Sequence, residues 1–212
     1  MITTTTDICN LALGRLGARR LASYEADITT EAKACRLHFE LVRDTLLRRH
    51  QWDFAKTSRA LSRLAADPLS EYAAAWQMPA DCVRIIRISS GDAVNPLNGF
   101  ERRGRALLTH EVGKVELVYV TNGVEIHEWD SLFVDAVVLK LAARIAGDIT
   151  QNPALAQECT NELEALALPA AQTADAREAN SGENFGTRHL ISQSLLHRAR
   201  YRSASPLPRA NI

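Results

Sequence analysis

The chain has 212 residues, with 25 Lys and Arg balancing 25 Asp and Glu; 24% of it is charged and 46% apolar. That length fits one domain, or one domain plus an insert, and the composition excludes a disordered chain. The zero formal charge argues against a dedicated nucleic-acid binder, which carries a basic excess. No run approaches 18 apolar residues, so no membrane span is expected. The start, Met1 to Asp7, lacks the basic head and apolar core of a secretory signal, which points to a protein made and kept in a cytosol.

The first predicted element is a short helix. Thr6 or Asp7 can cap it, and Ile8, Leu11, Ala12 and Leu16 share one face before Gly17 stops it. The second helix has the clearest signal. Behind a cap at Thr29 or Thr30, Ala32, Cys35, Phe39, Val42 and Leu46 recur at steps of three and four, and Leu41 and Leu47 widen the stripe. Arg36 with Glu40, and Asp44 with Arg48, stand at i,i+4 on the opposite side as a solvated face. Trp52 and Phe54 follow as core rings that wedge the next segment against the bundle.

A further short helix is expected around Thr57 to Ala65, broken by Pro68. The β-branched run from Cys82 to Ile88 reads as a strand. Ala106–Thr109 and Val115–Thr121, joined through Gly113-Lys114, read as a hairpin. Asp130 caps a third helix through residue 149, whose few polar residues place it at a bundle centre or against another subunit. Asn152-Pro153 opens a fourth with Leu155, Cys159, Leu163 and Leu166 on its face, and Pro169 should kink or stop it. The expected fold class is therefore mainly α: a helical bundle with a small inserted antiparallel β region and an extended C-terminal arm. Residues 1–81 are the first part of the bundle, 82–125 the β insert, 126–179 the second part and 180–212 the arm.

The arm holds five arginines against the single acid Glu183, leaving the remainder four charges negative. A basic arm on a mildly acidic body suggests docking on an acidic protein surface, with nucleic acid as the second target. The docking residues would be Arg188, Leu190, Leu195, Leu196, Arg198, Arg200 and Arg202.

No motif carries catalysis. There is no glycine-rich phosphate loop, nucleophile elbow or paired-histidine metal motif, and the six histidines are scattered. Cys9, Cys35, Cys82 and Cys159 lack zinc or redox spacing and read as small hydrophobes. Glu125, His127, Glu128 and Asp130 read as a polar connection ending in a helix cap. No catalytic residue, cofactor or metal site is expected.

The order of these elements resembles the tail tubular protein A and head-to-tail adaptor family of short-tailed bacteriophages. The residues that carry it are Ile8-Cys9-Asn10 through Leu16-Gly17 with Ser23, Glu31-Ala32 with Cys35, Arg43-Asp44 with Leu46-Leu47, and Trp52-Asp53-Phe54-Ala55. Pro79-Ala80-Asp81-Cys82-Val83-Arg84, then Phe133, Ala136, Leu141-Ala142 and Ile149-Thr150, complete the set. The resemblance spans about residues 5 to 179 and leaves the arm unmatched. It implies a structural virion protein, assembled in the host cytoplasm and resident at the head–tail junction. As a homo-oligomer, commonly a ring of twelve, it would sit beneath the portal protein, extend the channel for genomic DNA and hold the tail nozzle or fibre proteins. The neutral overall charge suits a conduit that lets DNA slide. Two alternatives come from other classes: a cell-wall hydrolase acting in phage entry through Glu125 and Glu128 or Asp130, and a small DNA-binding module using the arm.

Overall fold

The computed structural model describes residues 4–65, 70–90 and 99–179. Helix α1 (Thr5–Arg15) starts at a reciprocal cap one turn earlier than Asp7. The Thr4 hydroxyl accepts the Asp7 N–H, and the Asp7 carboxylate accepts the Thr4 N–H at 3.0 Å. Ile8, Cys9, Ala12 and Leu13 are buried, while Leu11 is largely exposed. Gly17, at φ +65°, turns the chain away.

In helix α2 (Thr30–Arg49) the Thr29 side chain accepts from the Ala32 N–H. The stripe from Ala32 to Leu46 is buried as its spacing predicts, and Leu47 joins it, but Leu41 is 58% exposed. The i,i+4 ion pairs do not form. Arg36 instead donates to the Tyr24 and Asp27 carbonyls, Asp44 accepts from Arg43 and Asn122, and Arg48 donates to the Val83 carbonyl.

Helix α3 (Ser131–Thr150) begins where the Asp130 carboxylate accepts the Leu132 and Phe133 N–H groups at 2.7 and 3.3 Å. Ten of its residues are buried, and α1, α2 and helix α4 (Pro153–Glu162) pack around it. The first of its two expected settings therefore holds: α3 is the centre of the protomer's own core and needs no second subunit for cover. Asn152 caps α4, with Pro153 in its first turn. Pro169 does not end the helical run. A π-helical stretch, Leu163–Ala167, precedes it, and residues 168–172 remain helical. Pro169 has no N–H for the Ala165 carbonyl, and the widened turn just before it takes up the change of register. A second compact unit begins at Thr173, and its described residues, 173–179, are helical.

The region between α2 and α3 departs most from expectation. Among the described residues, seven strands form two antiparallel sheets: β1 (Lys56–Ala60), β2 (Ser62–Arg63), β3 (Ala74–Gln77), β4 (Cys82–Ser90), β5 (Phe100–Arg103), β6 (Ala106–Thr109) and β7 (Val115–Thr121). One sheet has the order β1-β7-β4 and the other β2-β3-β6-β5. The helix expected at 57–65 is instead β1 and β2, and the chain changes sheets at the buried Leu61 between them. The expected hairpin is also corrected, because β6 and β7 lie in different sheets. The described residues are 51% helical and 21% strand, so the fold is mixed α/β and not a mainly α bundle. A second apolar cluster fills the sheets, with Leu61, Trp76, Met78, Ile88, Leu107, Leu117 and Tyr119 at its centre.

Phe133, fully buried, meets the rings of Trp52, Phe54 and Trp129 at centroid distances of 4.9, 5.0 and 5.2 Å. Phe133→Ala is expected to cost about 3–5 kcal/mol, read as a lowered urea midpoint, whereas Leu37→Ala on the exposed side of α2 should stay within about 0.5 kcal/mol.

Candidate functional site

The docking residues Arg188, Leu190, Leu195, Leu196, Arg198, Arg200 and Arg202 lie outside the described residues. The polar group between β7 and α3 can be placed. Asp130 is engaged as the α3 cap, and Glu125 to Glu128 frame a 3₁₀ turn, Ile126–Glu128. Glu125 lines an open polar cavity of about 310 Å³ with Thr4, Thr5, Thr6, Tyr24 and Glu25, while His127 and Glu128 are exposed. A second cavity of about 340 Å³ lies between α1 and α4, lined by Gly14, Leu155, Glu158 and Cys159 together with the ion pair of Arg15 and Glu162. Among the described residues, no three His, Cys, Asp or Glu side chains gather as metal ligands, and no helix is long and apolar enough to cross a membrane.

Two residue sets that the sequence reading did not single out for chemistry are brought together. Cys9 on α1 and Cys35 on α2 are both buried in the core, and interaction with the Cys35 thiol, with burial, pushes the Cys9 thiol well above its ordinary range. Their positions on facing apolar stripes were visible, but their contact depends on how α1 crosses α2. The other set centres on Asp81, just before β4. Its carboxylate accepts the Thr121 hydroxyl at 2.7 Å and the Tyr119 hydroxyl at 3.1 Å, and its carbonyl accepts the Asn122 N–H at 3.1 Å. This clamp holds the entry of β4 to the exit of β7. Asn10 makes a similar joint in the helical part. Its amide exchanges two hydrogen bonds with the Leu21 backbone, at 2.7 and 3.1 Å, and so ties the connection after α1 back onto the helix.

Burial raises the Asp81 pKa, but the hydrogen bonds from Thr121, its own backbone and Tyr119 outweigh it, so the carboxyl titrates below its usual range. The Tyr119 phenol, buried and donating to that carboxylate, is pushed up to about 12. Compared with models of known families and with curated proteins, the chain matches none.

A depressed folded-state pKa means that the charged Asp81 stabilises the fold above the ordinary carboxyl range, and that this stability is lost as pH falls through about 4 and below. Asp81→Asn should therefore destabilise the protein by about 2 kcal/mol at pH 7 and flatten the acid limb of its stability curve. Urea titrations between neutral pH and pH 2 check this: equal acid limbs in both proteins would contradict it. In the same variant, absorbance titration should find the Tyr119 phenol ionising at lower pH.

Proposed function

We propose that this chain is the subunit of a head-to-tail adaptor ring of a short-tailed bacteriophage, seated beneath the portal, extending the DNA channel and presenting the platform for the tail. The reading is carried by the ordered set of matching residues from Ile8 to Thr150. Those residues are not scattered over the surface; they form the joints of the fold. Cys9 meets Cys35, Asn10 ties down Leu21, Trp52 donates to the Leu46 carbonyl at 3.0 Å, Asp81 clamps β4 to β7, and Phe133 centres the aromatic cluster. A run of weak local resemblances has more weight when its members serve one packed core, because each then constrains the others.

The completed core of the protomer changes how assembly has to work. Cover for α3 is supplied within the chain, so subunits would meet through what remains on the surface. Exposed apolar side chains are available there: Ile28 at 83%, Leu37 at 71% and Leu41 one turn on. Single exposed apolar residues are ordinary, but Leu37 and Leu41 share one ridge of α2. The basic arm would reach the portal or a neighbouring subunit.

Multi-angle light scattering and negative-stain images of the purified chain, alone and with isolated portal rings, test this reading. Ring-shaped oligomers, or a complex with the portal, are expected. A strict monomer that ignores the portal would sink it. Deleting residues 180–212 should weaken portal binding, and an unchanged affinity would remove the docking role from the arm.

A further inference from the structure

We propose that the arginine corner where α2 meets the sheets engages the acid-rich helical surface of a second copy of this chain, head to tail; the inference rests on the ring reading above. Four guanidinium groups from three separate elements converge on residues 79–84 and the turn beside them. Arg48, in the last turn of α2, donates to the Val83 carbonyl at 2.8 Å, and Arg84 of β4 donates back to the Arg48 carbonyl at 3.4 Å. Arg105, in the β5–β6 turn, donates to the Pro79 carbonyl at 2.6 Å, and Arg102 of β5 donates to the Gly104 carbonyl at 3.1 Å. Arg48, Arg102 and Arg105 are exposed and Arg84 partly so.

Every acceptor in that corner is a backbone carbonyl. None of the four arginines has an ion pair among the described residues, so within those residues their charge is oriented but not paired. Arg15, Arg43, Arg49 and Arg103, by contrast, pair with Glu162, Asp44, Glu164 and Glu101. Arg36 also donates only to carbonyls, but it stands alone over the loop after α1 rather than in a group of four. The acid beside the corner, Asp81, is already held by Thr121 and Tyr119. Fixed guanidinium groups without an ion pair lower the ordering cost of binding and give an interface its register.

The chain itself carries a surface of the matching sign. Residues 122–172 hold two Lys and Arg against eight Asp and Glu, whereas residues 1–55 hold eight against seven and residues 56–121 nine against seven. Glu25, Glu125 and Glu128 are exposed and make no ion pair among the described residues. Because the acid excess lies in residues 122–172 and the arginine corner on α2, β4 and the β5–β6 hairpin, the contact joins unlike surfaces, and such a heterologous contact makes a ring when its rotation closes. A nucleic-acid partner is disfavoured by the zero net charge and by the acid excess of residues 122–172, which would repel phosphate.

Sedimentation velocity of the wild type and of an Arg84→Glu/Arg102→Glu/Arg105→Glu variant, at low and high salt, tests the assignment. The wild type should assemble at low salt and loosen as salt rises, and the variant, with an unchanged circular dichroism melt, should self-associate about tenfold or more weakly. Assembly of the variant equal to wild type overturns this inference while leaving the ring reading standing; a wild type that neither assembles nor binds the portal removes both. Salt-sensitive binding of duplex DNA that vanishes in the variant, with assembly intact, gives the corner to nucleic acid and overturns it too. Should the triple reversal fail to fold, the Arg→Lys changes at the same three positions keep the charge and permit carbodiimide crosslinking between isotopically labelled and unlabelled copies. Crosslinks to carboxylates of 1–55 or 122–172 on the other copy support the proposal, and their absence overturns it.

Discussion

Everything in the helical half depends on α3 being apolar on nearly every side and on three other helices closing over it. Phe133 is the point of greatest constraint. Its ring fills the space between Trp52 and Phe54, which arrive from the end of α2, and Trp129, which arrives from the connection before α3. Trp129 also lies parallel to Phe39 at 6.5 Å, so the aromatic cluster runs back into the middle of α2. Aromatic pairs at such distances add to the gain from burial itself. Removing the central ring would loosen contacts to two elements at once.

The β region is joined to that core by polar contacts as well as apolar ones. Asp44 on α2 accepts the Asn122 amide at 3.2 Å, and Arg48 and Arg84 exchange backbone contacts between α2 and β4. Val120 belongs to the helical core, whereas its neighbour Tyr119 belongs to the cluster inside the sheets. A single strand, β7, thus contributes alternate side chains to two cores, and the Asp81 clamp at its end keeps its register fixed. The alternation of faces seen in Val115 to Val120 is the sequence trace of that double duty.

Legibility in the sequence followed the strength of hydrophobic patterning. The buried stripe of α2, the caps at Thr29, Asp130 and Asn152, and the stop at Gly17 could be read because each rests on local chemistry. Strand β1 could not. Four of the five residues in Lys-Thr-Ser-Arg-Ala are exposed, so no alternation marks them, and they are strand only because β7 offers a partner sixty residues away. The missed division into two sheets has the same origin: β6 and β7 are adjacent in sequence and look like a hairpin, yet β3 and β5 take the two sides of β6. The Arg36–Glu40 pair failed because the carbonyls of the loop after α1 come within reach of Arg36. The arginine corner was invisible because its members lie on α2, β4, β5 and the β5–β6 turn, and spacing cannot show that they meet there. The arm, though legible as a charge block, lies outside the described residues.

A protomer with its core already closed places particular demands on any assembly it enters. If burial of a raw apolar face drove association, the isolated chain would expose a contiguous greasy patch and aggregate. Among the described residues the large exposed apolar side chains are few and mostly dispersed, and the four arginines of the corner are oriented without an ion pair. Contacts of that kind give modest affinity per interface, depend on ionic strength and reject mismatched partners through like-charge repulsion. Closure then matters more than pairing. In a ring the last subunit gains two interfaces for one loss of freedom, so weak heterologous contacts that are reversible between two copies become collectively durable once the circle is complete. On the ring proposal, then, the subunit would commit to its assembly only as the circle closes.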